Sequence, residues 1–434
     1  MKGNGIKRLW DVLDQSGDMI EYEGPLAGGF ELSLKIKEAG RRTVLFRNLL
    51  PKQGDVVSNL FSSQEKIAKS LNRSPTSFLD ELGRKFKTTE TGPTTSTSHD
   101  FAGSRSPNLV LPPAFKYYKD DYGSYITSSV VLARDLKSGY INASIHRLLH
   151  LGENRYVIRM VEGRHLHRIF QDHKSEGKDM PVAILVGVLP HLLLAAASPL
   201  PWQISELSLA SSLKGNPLPV TDLNEVDFPV PIESEFVMIG KISRERSAPE
   251  MMTDVLGTYD KIREQPVVDI LMTYYKEKPL CHAILPGGYE HVLLMGLPRA
   301  AEIKAAILER GIEARSIVLT PGSGGWLHCL ISIRKKSASD GKDAILIALN
   351  AHRSLKGVIV VDDDIDVNDY EAVDFALATR FGRKDQVIWL EGLRGSTLDP
   401  SANQSELTTV KWGLDLTLDF RAERRRFLKS EIPR

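Results

Sequence analysis

Apolar residues follow two spacings along this chain, and the balance between them changes twice. In the first eighty residues helical and strand spacings alternate. Leu9, Val12 and Leu13 with Trp10 make an apolar face at helical spacing, whereas residues 43–46 form a short apolar strand. Ser62 with Glu65 has the form of a capping box and predicts a helix through Ile67 and Leu71. Ser74-Pro75 predicts the next helix start, with proline at the first helical position. Residues 88–107 (TTETGPTTSTSHDFAGSRSP) are polar and poor in large apolar side chains. They predict a linker or exposed loop and a first domain boundary.

From about Asn108 to Pro298 the texture is strand-rich. Residues 125–132, 141–149 and 155–161 read as strands, the last two joined by the turn Gly152-Glu153-Asn154. The apolar run 182–200 is broken by Pro190 and His191 and is too short to cross a bilayer, so it predicts buried core. After Pro298 helix and strand alternate again. Helices are expected over 300–309 (ending at Gly311), 344–351 and 369–379, and strands over 316–319, 328–333, 358–361 and 386–390. The basic tail 421–429 reads as a solvated helix face, with a subunit contact as the lesser alternative. The expectation is a multidomain α+β / α/β chain. An N-terminal α/β domain spans 1–107, a strand-dominated barrel or sandwich carrying the site spans 108–298, and an α/β domain with a terminal helix spans 299–434.

Composition narrows the class of function. With 434 residues, 42% hydrophobic and 26% charged, the chain is an ordinary globular sequence. A formal net charge of +1 gives no reason to expect nucleic acid or an anionic membrane as partner. Cys281 and Cys329 lie far apart, and residues 1–10 carry charge without an apolar core. Reduced thiols and a cytoplasmic location are therefore expected.

Several familiar signatures are missing. Pro321-Gly322-Ser323-Gly324-Gly325 has no following GK[ST] and reads as a turn, and neither a GxSxG elbow nor an HExxH helix occurs. His146 and His150 have metal-binding spacing only on a helix, and their segment reads as strand. Three clusters stand out instead: Asn142-Ala143-Ser144-Ile145-His146-Arg147, Arg164-His165-Leu166-His167, and Pro231-Ile232-Glu233-Ser234-Glu235-Phe236. An amide oxygen, an imidazole and a carboxylate drawn from them suit Mn²⁺ or Mg²⁺. The same residues suit satisfied strand histidines and a surface carboxylate equally well.

Those clusters resemble motifs of the UbiD decarboxylase family. So do Val57-Ser-Asn-Leu-Phe61, Asp121-Tyr-Gly-Ser-Tyr-Ile-Thr127, Val361-Asp-Asp-Asp-Ile-Asp366, Leu377-Ala-Thr-Arg380 and Arg394-Gly-Ser-Thr-Leu-Asp-Pro-Ser401, in order along nearly the whole chain. The resemblance implies a split β-barrel that binds prenylated FMN, flanked by two α/β domains. It further implies that Asn142, His165 and Glu235 hold a divalent metal (Mn²⁺ or Mg²⁺, with K⁺ as a further ion) against the flavin phosphate. Ser144, Ile145, Arg147 and Arg164 then line the cofactor. Asn142 and Arg147 differ by an odd number, so a bulge or loop near Asn142 is expected if both face one site. Arg147 matches the family's catalytic arginine, whose planar fork orients a carboxylate.

The acidic loop departs from the family pattern of two glutamates. Asp254, just before Gly257-Thr258-Tyr259, falls on the second acid and is the expected proton donor; Glu250 is one residue too close and takes a supporting role. Asp362, Asp363, Asp364 and Asp366 read as turn and cap residues rather than a second metal site. Lys356 reads either as a cofactor-phosphate ligand or as a surface residue. The run Gly257-Thr258-Tyr259-Asp260 is similar to the archaeal branch of the family, which converts trans-anhydromevalonate 5-phosphate to isopentenyl phosphate in the modified mevalonate route. That reaction is the leading expectation. An aromatic or polyprenyl-hydroxybenzoate decarboxylase is the first alternative, and a non-catalytic flavin- or metal-binding protein the second. A flavin prenyltransferase as cofactor supplier and a homo-oligomeric assembly accompany the resemblance.

Overall fold

The computed structural model describes residues 18–26, 30–49, 54–89, 95–96, 101, 103–106 and 109–430. The helix expected around Leu9, Trp10, Val12 and Leu13 lies outside the described residues. The chain divides into two compact units. One holds residues up to 78 together with 85–294, and the other holds 79–84 with 295–434.

In the first unit, β1 (Met19–Glu23), β2 (Thr43–Arg47) and β3 (Asp55–Ser58) form a small sheet. Helix α1 (Glu31–Glu38) buries Leu32 and Ile36, one turn apart, in the core that includes Val44 and Phe46. Helix α2 runs Gln64–Ser70 with Ser63 as its cap, accepting from the Lys66 N–H at 3.1 Å. The expected cap was one residue earlier. The Ser62 hydroxyl instead donates to the Arg41 carbonyl, so the next serine caps the helix. Helix α3 (Phe78–Thr88) starts after Ser77, not at Ser74-Pro75. The Pro75 carbonyl accepts from Gln64 Nε2 at 2.9 Å, which holds that segment in a turn.

The polar stretch 88–107 is not wholly loop. It supplies β4 (Thr95–Ser96) and β5 (Ser104–Ser106), short strands that pair through their backbones and need no apolar side chains. The strand-rich middle follows as β6 (Tyr125–Arg134), β7 (Ile141–Gly152), β8 (Arg155–Ile158), β9 (Met180–Val186), β10 (Leu218–Thr221), β11 (Val230–Pro231), β12 (Phe236–Glu250), β13 (Arg263–Tyr275) and β14 (Leu280–His282). Six of them close a barrel in the order β12-β9-β6-β7-β8-β13, with β12 pairing back onto β13. Closure removes the unpaired edges that an open sheet would expose. Three helices lie between these strands: α4 (His165–Ser175), α5 (Pro190–Ala196) and α6 (Glu206–Lys214). The apolar run 182–200 is β9 followed by α5, both buried. Strand β14 returns to pair with β3 in parallel and completes the N-terminal sheet.

Helix α7 spans Tyr289–Glu309 and carries Pro298 inside it, where a start at residue 300 was expected. Proline removes one backbone hydrogen bond, but the apolar residues on both sides keep the helix going through it. In the second unit β15 (Glu313–Leu319), β16 (His328–Arg334), β17 (Gly357–Asp362), β18 (Val387–Arg394) and β19 (Thr408–Asp415) form a mixed sheet in the order β15-β16-β17-β19-β18. Helices α8 (Asp340–Ala351) and α9 (Tyr370–Arg380) belong to this unit. Strand β19 was not expected, although Val410, Trp412 and Leu414 alternate along it. The basic tail is no helix. Residues Arg424–Phe427 make one exposed 3₁₀ turn, because a run of like charges offers no apolar stripe to bury. Among the described residues no helix is long and apolar enough to cross a membrane.

Candidate active site

Strand alternation sets Asn142, Ser144 and His146 on one face of β7. Hydrogen bonds orient all three. His146 Nδ1 lies 2.7 Å from the Arg159 carbonyl, which can only accept, so Nδ1 carries the proton. Nε2 is then the acceptor for the Ser144 hydroxyl at 2.8 Å, and Ser144 in turn accepts from Asn142 Nδ2 at 2.8 Å. Burial holds the His146 ring neutral, its pKa lowered to about 4. The chain of donors fixes the Asn142 amide with its nitrogen toward Ser144. Its Oδ1 is left buried, with no partner among the described residues.

His165 opens α4 rather than continuing a strand, with Arg164 at the cap position; His167 is in the same first turn, and its ring meets Gln171 one turn on. His165 Nδ1 lies 3.3 Å from the Tyr140 hydroxyl and 3.8 Å from buried Glu206. Glu206 also accepts from the Ala143 N–H at 3.0 Å, which ties α6 to the strand that carries Asn142. Glu235 makes contacts of its own: Lys276 Nζ at 3.1 Å and the Leu280 N–H at 3.2 Å. It packs on Gly187, whose φ is +71° and where an added Cβ would stand 2.7 Å from Glu235 Cγ, so no side chain fits there. Among the described residues, no contact joins Glu235 to Asn142 or His165, and no three His, Cys, Asp or Glu side chains converge. The donor set still suits a cation. Asn142 offers a buried acceptor without a donor, and Glu235 already compensates one positive group.

Arg147 departs from that row. Its Nε and Nη2 donate to the two oxygens of Glu250 at 2.7 and 2.9 Å, a two-pronged fork across the barrel end. Nη2 also reaches Asp260 at 3.3 Å. Burial opposes the Arg147 charge, but Glu250 and Asp260 outweigh it and raise the pKa. The expected irregularity near Asn142 is absent: β7 is regular from Ile141 to His150 and bulges only near Leu151, while a bulge on β6 between Ile126 and Ser129 faces Arg147. Glu250 is 1% exposed and holds Arg147 directly, a closer part than the supporting one expected of it.

Asp254 sits in the loop after β12. Its Oδ1 accepts from the Leu256 N–H at 2.8 Å and from Thr258 Oγ1 at 3.3 Å. Desolvation raises its pKa, with Asp260 adding to the shift. Asp121 braces this loop by accepting from the Thr253 N–H at 2.9 Å, and the Tyr125 hydroxyl donates to the Met251 carbonyl. The segment Asp121–Thr127 is therefore the loop's support. Sequence reasoning missed Arg159, Asp260, Arg263 and His291. Of these, only Asp260 lay in a quoted run. His291 accepts from the Gly287 N–H through Nδ1, and burial with the nearby Arg147 charge lowers its pKa to about 4.

Lys356 belongs to the second unit, where it bonds Asp399 at 3.1 Å and Ser401. The aspartates there were expected in turns and caps. Asp362 and Asp364 form ion pairs with Arg380 instead, and Asp366 accepts from the Asn368 N–H.

Three family models match in order: the 3-octaprenyl-4-hydroxybenzoate carboxy-lyase N-terminal domain over residues 11–86, the Rift-related domain over 89–289 and the C-terminal domain over 292–416. Together with the barrel and its arginine fork they define the class: this chain belongs to the UbiD family of carboxy-lyases. Within that family it is similar to the anhydromevalonate phosphate decarboxylase of Methanothermobacter thermautotrophicus, 37% identical over 94% of this chain and 96% of that protein. Its fold matches the UbiD-class enzyme HmfF from Pelotomaculum thermopropionicum in complex with FMN, with a TM-score of 0.92 and 28% identity over 99% and 97% of the two chains. An evolved dimeric form of HmfF in complex with prFMN matches with a TM-score of 0.89 and 26% identity, over 99% of this chain and 97% of that one.

Proposed function

We propose that this enzyme decarboxylates trans-anhydromevalonate 5-phosphate to isopentenyl phosphate with prenylated FMN as cofactor. The observation that carries the decarboxylase reading is the Arg147–Glu250 fork. A guanidinium locked through Nε and Nη2 by carboxylates leaves its Nη1 to meet a substrate carboxylate in one orientation. The identity of the substrate rests on the similarity to relatives bearing that name.

The cofactor, when bound, supplies the electron sink for the pair released as the C–CO₂ bond breaks. Arg147 holds the departing carboxylate. A proton must then reach the carbon that lost CO₂, and Asp254 would deliver it. Its Oδ1 is occupied by Leu256 and Thr258, whereas Oδ2 has no partner among the described residues and is the oxygen open to a proton, which burial favours. Neutral His291 presents an Nε2–H nearby, because its Nδ1 is the acceptor of the Gly287 N–H. Asn142, His165 and Glu235 would hold Mn²⁺ or Mg²⁺, giving the flavin phosphate a compensating charge, with K⁺ as a further ion. Ser144, Ile145 and Arg164 would lie along the flavin. A flavin prenyltransferase as cofactor source, homo-oligomeric assembly and a cytoplasmic setting belong to the same reading.

The test is to co-produce the protein with a flavin prenyltransferase, identify the bound cofactor by mass spectrometry and assay the phosphorylated C6 acid. We expect prenylated FMN, about one divalent metal per chain and turnover of that acid. His165→Ala should lose both metal and flavin; a full flavin complement in that variant removes the metal bridge. Holoenzyme that ignores the C6 acid but decarboxylates an aromatic acid overturns the substrate.

A further inference from the structure

Three adjacent barrel strands bring guanidinium groups to one end of the barrel. Arg147 lies on β7, and Arg159, just beyond β8, is its direct neighbour, with the Arg159 N–H on the Arg147 carbonyl at 3.2 Å. Arg263 opens β13, where it stands opposite Glu250 of β12. Like charges placed opposite each other across strands destabilise a sheet unless something of opposite sign lies between them. Two carboxylates do so here. Glu250 is taken up by the Arg147 fork. Asp260 is shared, its Oδ2 lying 3.3 Å from Arg147 and 3.7 Å from Arg159 while its Oδ1 meets Arg263. Asp254, the third acid, is kept toward its neutral form by burial. Three guanidinium groups thus share two carboxylates, and among the described residues Asp254 makes no ion pair with any of them.

Arg159 is where the excess falls. Its side chain is only 10% exposed, its one ion pair is the long 3.7 Å contact, and its Nη1 donates to the adjacent Met160 carbonyl. Burial and the neighbouring Arg263 both weaken its hold on its proton. A buried cation so poorly compensated is costly, and the cost falls when an anion binds beside it.

We propose that Arg159, backed by Arg263, anchors the phosphate of the substrate while Arg147 holds its carboxylate. This rests on the phosphorylated-acid reading above and adds to it the residue that selects for the phosphate. A single small molecule with anionic groups at both ends spans two neighbouring guanidinium groups; an aromatic monoacid has no use for the second. A guanidinium suits this task because its fork matches phosphate geometry and never loses its charge at working pH.

The test compares wild-type holoenzyme with Arg159→Met and Arg159→Lys, reading flavin content, kcat and KM for the phosphorylated acid, and competitive inhibition by inorganic phosphate. In Arg159→Met we expect normal flavin content and little change in kcat. KM and the inhibition constant for phosphate should both rise about ten- to a hundredfold. Lysine should restore part of the loss. Unchanged KM and phosphate inhibition in the methionine variant would overturn the anchor. So would loss of flavin with phosphate inhibition intact, which would assign the cation to the cofactor's phosphate. If the wild type does not turn over the phosphorylated acid at all, the substrate reading fails by itself. Phosphate inhibition measured on whichever acid is accepted then still tests Arg159.

Discussion

The barrel end and the C-terminal sheet each bury an arginine among carboxylates, and the two networks differ in how they balance. In the C-terminal unit Arg380 is 1% exposed on its side chain. Its two Nη groups go to Asp362 and Asp364, and Asp362 also accepts from the Leu418 N–H at 2.7 Å. The acids equal or exceed the single cation, and they join the end of β17 to the last turn of α9. At the barrel end the count runs the other way, with three guanidinium groups sharing two carboxylates. A third acid there is held toward neutrality, and His291 is kept uncharged. The residue types are the same in both places. In the first network the cation has acid partners to spare, whereas in the second Arg159 holds only one long contact.

That contrast is tested most severely at Arg147. Arg147→Ala should lower turnover at least about a hundredfold, and Arg147→Lys should also be poor, since an ammonium cannot reproduce the fork. The alanine variant also leaves Glu250 buried and unpaired, a loss of about 3–5 kcal/mol of stability. Adding Glu250→Gln should recover much of the melting temperature and none of the activity; recovery of activity would show that Arg147 acts only through the fold.

The next largest effect falls on Asp254. Asp254→Asn keeps the shape, removes the proton and should stop turnover without unfolding the protein, as followed by circular dichroism and steady-state assay. Because burial raises the pKa of this acid, wild-type turnover should decline as pH rises through that raised value. If Asp254→Asn stays active while Glu250→Gln is dead, Glu250 is the acid.

Arg380→Met should do the opposite of Arg147→Ala. It strands Asp362 and Asp364 and should cost about 3–5 kcal/mol in chemical denaturation, yet leave kcat per folded molecule unchanged. A fall in kcat at constant stability would erase the distinction between the two networks.

The smallest effect concerns the two buried histidines. His146 and His291 have folded pKa values near 4 against an ordinary 6.5. The unfolded chain therefore binds protons between pH 6.5 and 4 that the folded chain refuses. Stability contributed by each neutral ring is present above that window and is lost as pH falls through it, by up to about 3 kcal/mol per ring. Urea titrations at several pH values should show this slope, reduced in His146→Gln; a flat profile would mean both rings protonate freely in the fold.

Much of this architecture was legible from spacing alone. The strands from 125 to 158, the apolar run at 182–200 and most of the C-terminal alternation are where their apolar patterns put them. The misses have local causes. Ser62 was outcompeted as a cap because the Arg41 carbonyl captured its hydroxyl, and Pro298 did not stop a helix whose flanks are strongly apolar. At the site, Arg147 drew notice in an ordered motif and Glu250 and Asp254 beside one that is altered, and the structure brings Arg147 and Glu250 together. Arg159 and Arg263 carry no local mark. They matter because barrel closure places β7, β8 and β13 side by side, and pairing between distant strands is not written in any short window of sequence.

The N-terminal sheet has a consequence for how this protein is made. Its fourth strand, β14, comes from residues 280–282, more than two hundred residues after β3. Glu290 adds a second tie from the same late stretch, accepting the backbone N–H groups of Asn59 and Phe61 at 2.9 and 2.7 Å and meeting His282. As the chain leaves the ribosome, the first ninety residues therefore wait with an open strand edge until the barrel has been synthesised. Chaperone dependence during synthesis, and poor solubility of any fragment that stops before residue 290, follow from that one late pairing.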